Sequence, residues 1–113
     1  MKNMKNVISV YKLKRVLMLE FESTNMDDLE EEARLKATEV SIAIVTGICK
    51  GLDEGADVIA LGFMKNLDLD INIKRSNYLD ALKLNLHRVE DAEEFELCMR
   101  AATWIKTLEL EQE

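Results

Sequence analysis

Residues 51–63, "GLDEGADVIALGF", set two carboxylates, Glu54 and Asp57, just ahead of an apolar run, and their reading decides how the centre of the chain is built. Upstream, Val40 to Cys49 is apolar nearly all round, the mark of a helix buried on more than one face. Gly51 is placed to take the left-handed conformation that ends such a helix. Downstream, Ala56, Ile59, Phe63 and Leu67 recur every three or four residues, the helical period. On this reading a second helix begins near Asp53. Glu54 and Asp57 then fall in its first turns, where the helix dipole favours acids. Two such segments joined by a short turn make an antiparallel hairpin at the centre of a bundle.

The flanking sequence extends the same pattern. "STNMDDLEEEA" (23–33) is a helix start, with Thr24 or Asn25 as cap and a run of acids behind it. Leu29, Ala33, Ala37, Val40, Ile44 and Ile48 carry that helix forward. Ser76 or Asn77 can cap a further helix through Val89, and a last one runs from about Asp91 to Leu110. "LDLDINIK" (67–74) alternates apolar and polar residues, which suits a strand or an extended connection. Its Asp68, Asp70 and Asn72 resemble the first half of a calcium loop. The glycine and the bidentate glutamate of such a loop are replaced by Ile73 and Leu79, so that site is rejected. Residues 7–22 fit a strand through alternate positions, or a helix. The helix is preferred, because little else offers a strand a partner. Proline is absent and only four glycines occur, which favours long helices over many turns. The sequence therefore predicts a single, mainly α domain over 1–113: an antiparallel bundle of four to five helices, with 7–22 as an alternative strand.

Composition narrows the function. The 113 residues carry a formal charge of -7, which disfavours general binding to nucleic-acid phosphates. Lys2, Lys5, Lys12, Lys14 and Arg15 form a basic N-terminal segment free of acids, leaving the rest more acidic still. Cys49 and Cys98 lie in separate apolar runs, and with the lone His87 they make no zinc pattern. Reduced thiols in a cytoplasmic protein are the simplest account. No apolar run reaches the roughly 18 residues of a membrane span, and no leader is evident.

The last predicted helix carries two apolar stripes. One is Phe95, Cys98, Met99, Ala102 and Ile105. The other is Leu97, Ala101, Trp104 and Leu108, about 120° away at 3.6 residues per turn. A helix of this kind covers two neighbours, or one neighbour and a second chain. Leu97, Ala101, Trp104 and Leu108 are the candidate interface, with Trp104 its anchor.

Carboxylates on helices are the remaining chemistry, and no catalytic residue stands out. Hard cations need several oxygen ligands on rigid elements. Glu54 and Asp57, three apart, share a helix face, and Glu39 on the preceding helix is a further candidate ligand. Glu32, seven residues before Glu39, would add a fourth oxygen donor on the same face.

Residues 36–71 resemble the central helices of the MazG-like, all-α nucleotide pyrophosphohydrolases. Glu54-Gly-Ala-Asp57 is similar to their ExxD motif, and Asn85 to Arg88 to a later N-x-x-R element. The resemblance implies a magnesium site that hydrolyses a nucleoside triphosphate to the monophosphate and pyrophosphate. The companion EExxE motif, aligned on Glu39, has Thr38 and Ile42 in place of two glutamates, so the ligand set is degenerate. More weakly, "EEFELCMRAATWIKTLE" (93–109) resembles the UVR helical hairpin, a protein-contact motif. Ala102 and Thr103 replace its usual Arg-Asp pair.

These readings predict a non-enzymatic, acidic helical interaction protein, a homo-oligomer or the partner of another protein. It needs no cofactor, with magnesium entering only if the chain is an enzyme. The alternatives are a magnesium-dependent pyrophosphohydrolase and an acidic inhibitor of a nucleic-acid-binding protein.

Overall fold

The computed structural model describes residues 19–66 and 69–112. Their elements run β1 (Leu19–Phe21), α1 (Met26–Leu35), α2 (Ala37–Asp53), β2 (Val58–Met64), β3 (Leu69–Lys74), a 3-10 turn (Arg75–Asn77), α3 (Tyr78–Asp91) and α4 (Phe95–Glu111). The antiparallel bundle is thus corrected to an α/β arrangement. A three-stranded mixed sheet of order β1-β2-β3 lies beside the helices, with β1 parallel and β3 antiparallel to the central strand. The central helical hairpin is replaced by a helix followed by a strand. Residues 7–18 of the ambiguous N-terminal segment lie outside the described residues; Leu19–Phe21 are strand.

Gly55, not Gly51, ends α2. Its φ is +72°, a conformation that glycine adopts without steric cost. Gly55 N–H donates to the Leu52 carbonyl (3.1 Å) and Ala56 N–H to that of Gly51 (2.7 Å). Together they are the paired bonds of a Schellman motif. Beyond it, β-branched Val58 and Ile59 enter the sheet.

Gly51 has another task. It is buried inside α2, where a side chain would overlap the Cγ2 methyl of Ile59. Gly47, one turn earlier, faces the Cδ1 end of the same isoleucine. The two glycines open a trough on α2 into which β2 presses Ile59.

A bulge at Leu61 explains why β2 does not read as a strand. Ala60 pairs with Asn72, but the next pairing is Gly62 with Ile71. The extra residue reverses the parity of the strand, so Ile59, Gly62 and Met64 all turn to one face. Strict alternation survives on β3, where Ile71 and Ile73 are half-buried and Asp70, Asn72 and Lys74 are exposed.

The helix predicted from 26 onward breaks at Lys36 (φ -106°, ψ 27°) into α1 and α2. Asn25 caps α1, its side chain accepting from Asp28 N–H at 2.9 Å. The core gathers Val45, Ile48, Cys49 and Leu52 of α2, Ile59 of β2, Tyr78, Leu79, Leu82 and Val89 of α3, and Ala101 and Leu108 of α4. Two polar groups inside it are satisfied: Ser41 Oγ donates to Asn85 Oδ1 (2.8 Å), and Tyr78 OH donates to the Ala56 carbonyl (3.0 Å).

Candidate functional site

The predicted metal ligands are spread through the fold. Glu39 is exposed in the first turn of α2, whereas Glu54 caps the far end of the same helix. Fifteen residues at about 1.5 Å each put their backbones roughly 22 Å apart. Asp57 lies in the link to β2, and its carbonyl accepts from Arg75 N–H at 2.7 Å. Glu54 and Asp57 therefore do not share a helix face. Glu32 sits on α1, across the break at Lys36 from Glu39. Among the described residues, no three His, Cys, Asp or Glu side chains come together as a metal site would require.

Glu32 is instead an internal anchor. Its Oε1 accepts from Ser23 Oγ (2.5 Å) and Ser23 N–H (3.0 Å), and both oxygens lie 3.0 Å from Glu22 N–H. Lys36 Nζ donates to Oε2 from one turn along (3.2 Å). The Ser23 hydroxyl is the largest cause, ahead of the two N–H groups and Lys36, of a carboxyl pKa lowered from 4.5 to about 2. These bonds fasten the exit of β1 to α1, and they occupy the carboxylate with the chain's own donors.

The other polar candidates are also engaged structurally. Asn85 of the N-x-x-R element accepts from Ser41 and donates to the Ala81 carbonyl (2.7 Å). His87 is exposed, 3.3 Å from Asp91. Cys49 is a buried thiol and Cys98 a partly exposed one, both free. Burial pushes the Cys49 thiol up. Burial, then the charges of Glu90 and Glu94, do the same for Cys98. Neither thiol is activated as a nucleophile.

The candidate interface stripe of α4 faces inward. Ala101 and Leu108 belong to the chain's own core, and Leu97 and Trp104 pack against it. Trp104 Nε1–H donates to Asp53 Oδ1 (3.0 Å), while Arg100 pairs with the other oxygen of that carboxylate. An acid in the last turn of α2 opposes the helix dipole, and these two donors offset it. The stripe expected to meet a second chain thus docks α4 onto α2 within one chain.

Of the opposite stripe, Cys98 and Ile105 also pack against the core, while Phe95, Met99 and Ala102 are left outside. Phe95 is 65% exposed, Met99 71% and Leu110 62%, with Ala102 exposed between them. Beside it, a groove of about 380 Å³ runs between α3 and α4, lined by Leu86, Ala102, Ile105, Lys106, Glu109 and Leu110. Lys83 fixes Glu109 across this seam at 3.4 Å. Exposed Lys106 lies on the same face between Ala102 and Leu110, so the apolar surface is Phe95, Met99 and Ala102, with Leu110 about two turns further on.

Comparison with protein-family models, with curated proteins and with solved structures finds no match to this chain. No helix among the described residues is long and apolar enough to cross a membrane.

Proposed function

We propose that this chain is a non-enzymatic protein-interaction domain whose contact face is the outer side of α4. The observation that carries the reading is the row of Phe95, Met99 and Leu110, each more than half exposed on a helix whose other side is already packed. Large apolar side chains scattered singly over a surface are ordinary, but several on the outward side of one helix mark a contact site. The acids in the fold support the same reading. Glu32, Asp53, Glu109 and Glu111 hold the chain's own elements together.

The test uses a photo-crosslinking residue at Thr103, which is exposed beside the stripe, and another at Asp80, exposed on α3. Discrete protein adducts from position 103, absent from position 80 and lost on Phe95→Glu/Met99→Glu, are the expected result. The double variant should melt as the parent does, since both side chains already face solvent. Adducts of equal strength from the two positions, or adducts indifferent to the double variant, refute the reading.

A further inference from the structure

The partner's chemistry can be read from the rim of that face. This step rests on the contact face proposed above. Residues 90–96, "EDAEEFE", turn the corner from α3 into α4 and place Glu90, Asp91, Glu93, Glu94 and Glu96 within five residues of Phe95. Glu90 and Glu94 lie close enough to Cys98, on the turn that carries Met99, to raise its thiol pKa. All five acids are exposed. Asp91 is within ion-pair distance of His87; none of the other four has an ion-pair partner among the described residues.

Elsewhere on the helices the acids are more dispersed: Asp27, Glu30, Glu39 and Asp80 have no ion-pair partner among the described residues, and others are matched. Glu31 has Arg34, Asp53 has Arg100, Glu109 has Lys83 and Glu111 has Arg75. Glu93 adds a conformational cost to the corner. It occupies the left-handed position of a Schellman motif at φ +61°, where the equivalent residue after α2 is Gly55. Its N–H bonds the Glu90 carbonyl and that of Glu94 bonds Val89. A glutamate in this position keeps negative charge at the corner where glycine would be easier to accommodate.

We infer that the outer face of α4 binds a basic amphipathic helix from another protein. Its apolar side lies along Phe95, Met99 and Ala102, and its cations meet the acidic corner. The mode is that of an amphipathic helix laid on an apolar surface, with specificity from opposed charge. A second copy of this chain is a poorer occupant, because two acidic corners and a formal charge of -7 on each copy would repel.

The experiment titrates the full chain with three synthetic peptides of about 18 residues that share one leucine face. One carries lysine on its other side, one glutamate and one serine. Binding is read by anisotropy and by backbone amide shifts. The lysine peptide should bind, move amides of residues 90–110, weaken as salt rises and release on Phe95→Glu. Changing Glu90, Glu93, Glu94 and Glu96 to Gln should weaken it about tenfold. The control variant Asp27→Asn/Glu30→Gln, on α1, should leave it unchanged.

Equal affinity for the quadruple and control variants would overturn the inference, since bulk charge would then explain binding. Phe95-dependent binding of the serine or glutamate peptide but not the lysine one would overturn it too, yet leave the contact face standing. Phe95-dependent self-association in sedimentation, without lysine-peptide binding, would assign the face to a second copy and also overturn it. Tighter peptide binding when Lys12, Lys14 and Arg15 become Gln would assign it to the chain's own basic segment and overturn it likewise. If neither peptides nor self-association depends on Phe95, the inference and the contact face fall together.

Discussion

Changing Gly51 to Ala tests the feature on which the fold turns. Two effects compete. Alanine is a better helix residue than glycine by about 1 kcal/mol in a helix interior. Against that, the new methyl would overlap Ile59 Cγ2, well inside the roughly 3.5–4.0 Å at which carbons pack. Cγ2 is carried on the β-carbon of a branched side chain that is stiff at χ1, so the backbone of β2 or α2 must shift. Overpacking of this kind costs about 1–3 kcal/mol, and the rigidity of the obstacle puts it in the upper half. The net loss is about 1–2 kcal/mol, or roughly 4–8 °C in a thermal melt of a domain this size. Gly47→Ala is the matched control: same helix, same isoleucine, but 3.0 Å from Cδ1, the movable end of the side chain. It should be neutral or stabilising by up to about 1 kcal/mol. Far-UV dichroism melts of both variants, each repeated in an Ile59→Ala background, complete the experiment. With Ile59 shortened, Gly51→Ala should turn from destabilising to stabilising. A cost that persists unchanged in that background would show that Ile59 is not seated on Gly51, and the helix-to-strand packing would be wrong.

Three further outcomes follow from local geometry. Glu93→Gly should stabilise the chain by about 0.5–1 kcal/mol, because glycine removes the steric cost of a left-handed residue; Gly55→Ala, with nothing near its would-be Cβ but a φ of +72°, should destabilise it by about 1 kcal/mol. Denaturant titration reads both, and the same sign for the two changes would overturn the pairing of these helix ends. Glu32→Gln should cost about 1–2 kcal/mol at neutral pH. The depressed pKa corresponds to about 3 kcal/mol at full strength, reduced here by solvent screening at a surface turn. Since the folded pKa lies below the ordinary value, this stability is complete above pH 4.5 and is lost as pH falls toward 2. Parent and variant melts should therefore converge at low pH; a constant gap would refute the assignment. Asp53→Ala should shift the emission of the chain's one tryptophan to the red by freeing Trp104 Nε1 to water, whereas Asp53→Asn, which keeps an acceptor for that N–H, should leave it in place.

The start of α1, with Thr24 or Asn25 as cap, and the alternation on β3 were legible because each is written in a few adjacent residues. The strand at 58–64 was not. Three features disguised it: the apolar run fits a helix as well as a buried strand, Gly51 stands where a cap could be, and the bulge at Leu61 erases the period of two. Only Gly55, four residues after the more inviting glycine, marks the true end of α2, and both glycines satisfy the same local rule. What separates them is Ile59, whose packing on Gly51 is a tertiary fact. The break at Lys36 was hidden in the same way, since the apolar spacing continues across it.

The metal reading depended on that disguise. Glu54 and Asp57 share a face only if residues 53–67 are helical. Once they straddle a helix end and a strand entry, three-residue spacing no longer brings their oxygens together. The stripes on α4 show the opposite relation between sequence and structure. Their existence follows from periodicity alone, but which one turns inward does not. Hydrophobicity favours Phe95 and Met99 for the core, yet the fold buries Ala101 and Leu108. Ala101 and Leu108 pack in the core, and Asp53 meets Arg100 and Trp104 on the inward side of α4, so apolar and polar contacts agree on the rotation of the helix about its axis. Once that rotation is set, the larger apolar side chains are left facing solvent beside the acidic corner. They remain exposed while the other side of the helix is packed on the core, and that exposed apolar surface is the reason to look for a partner there.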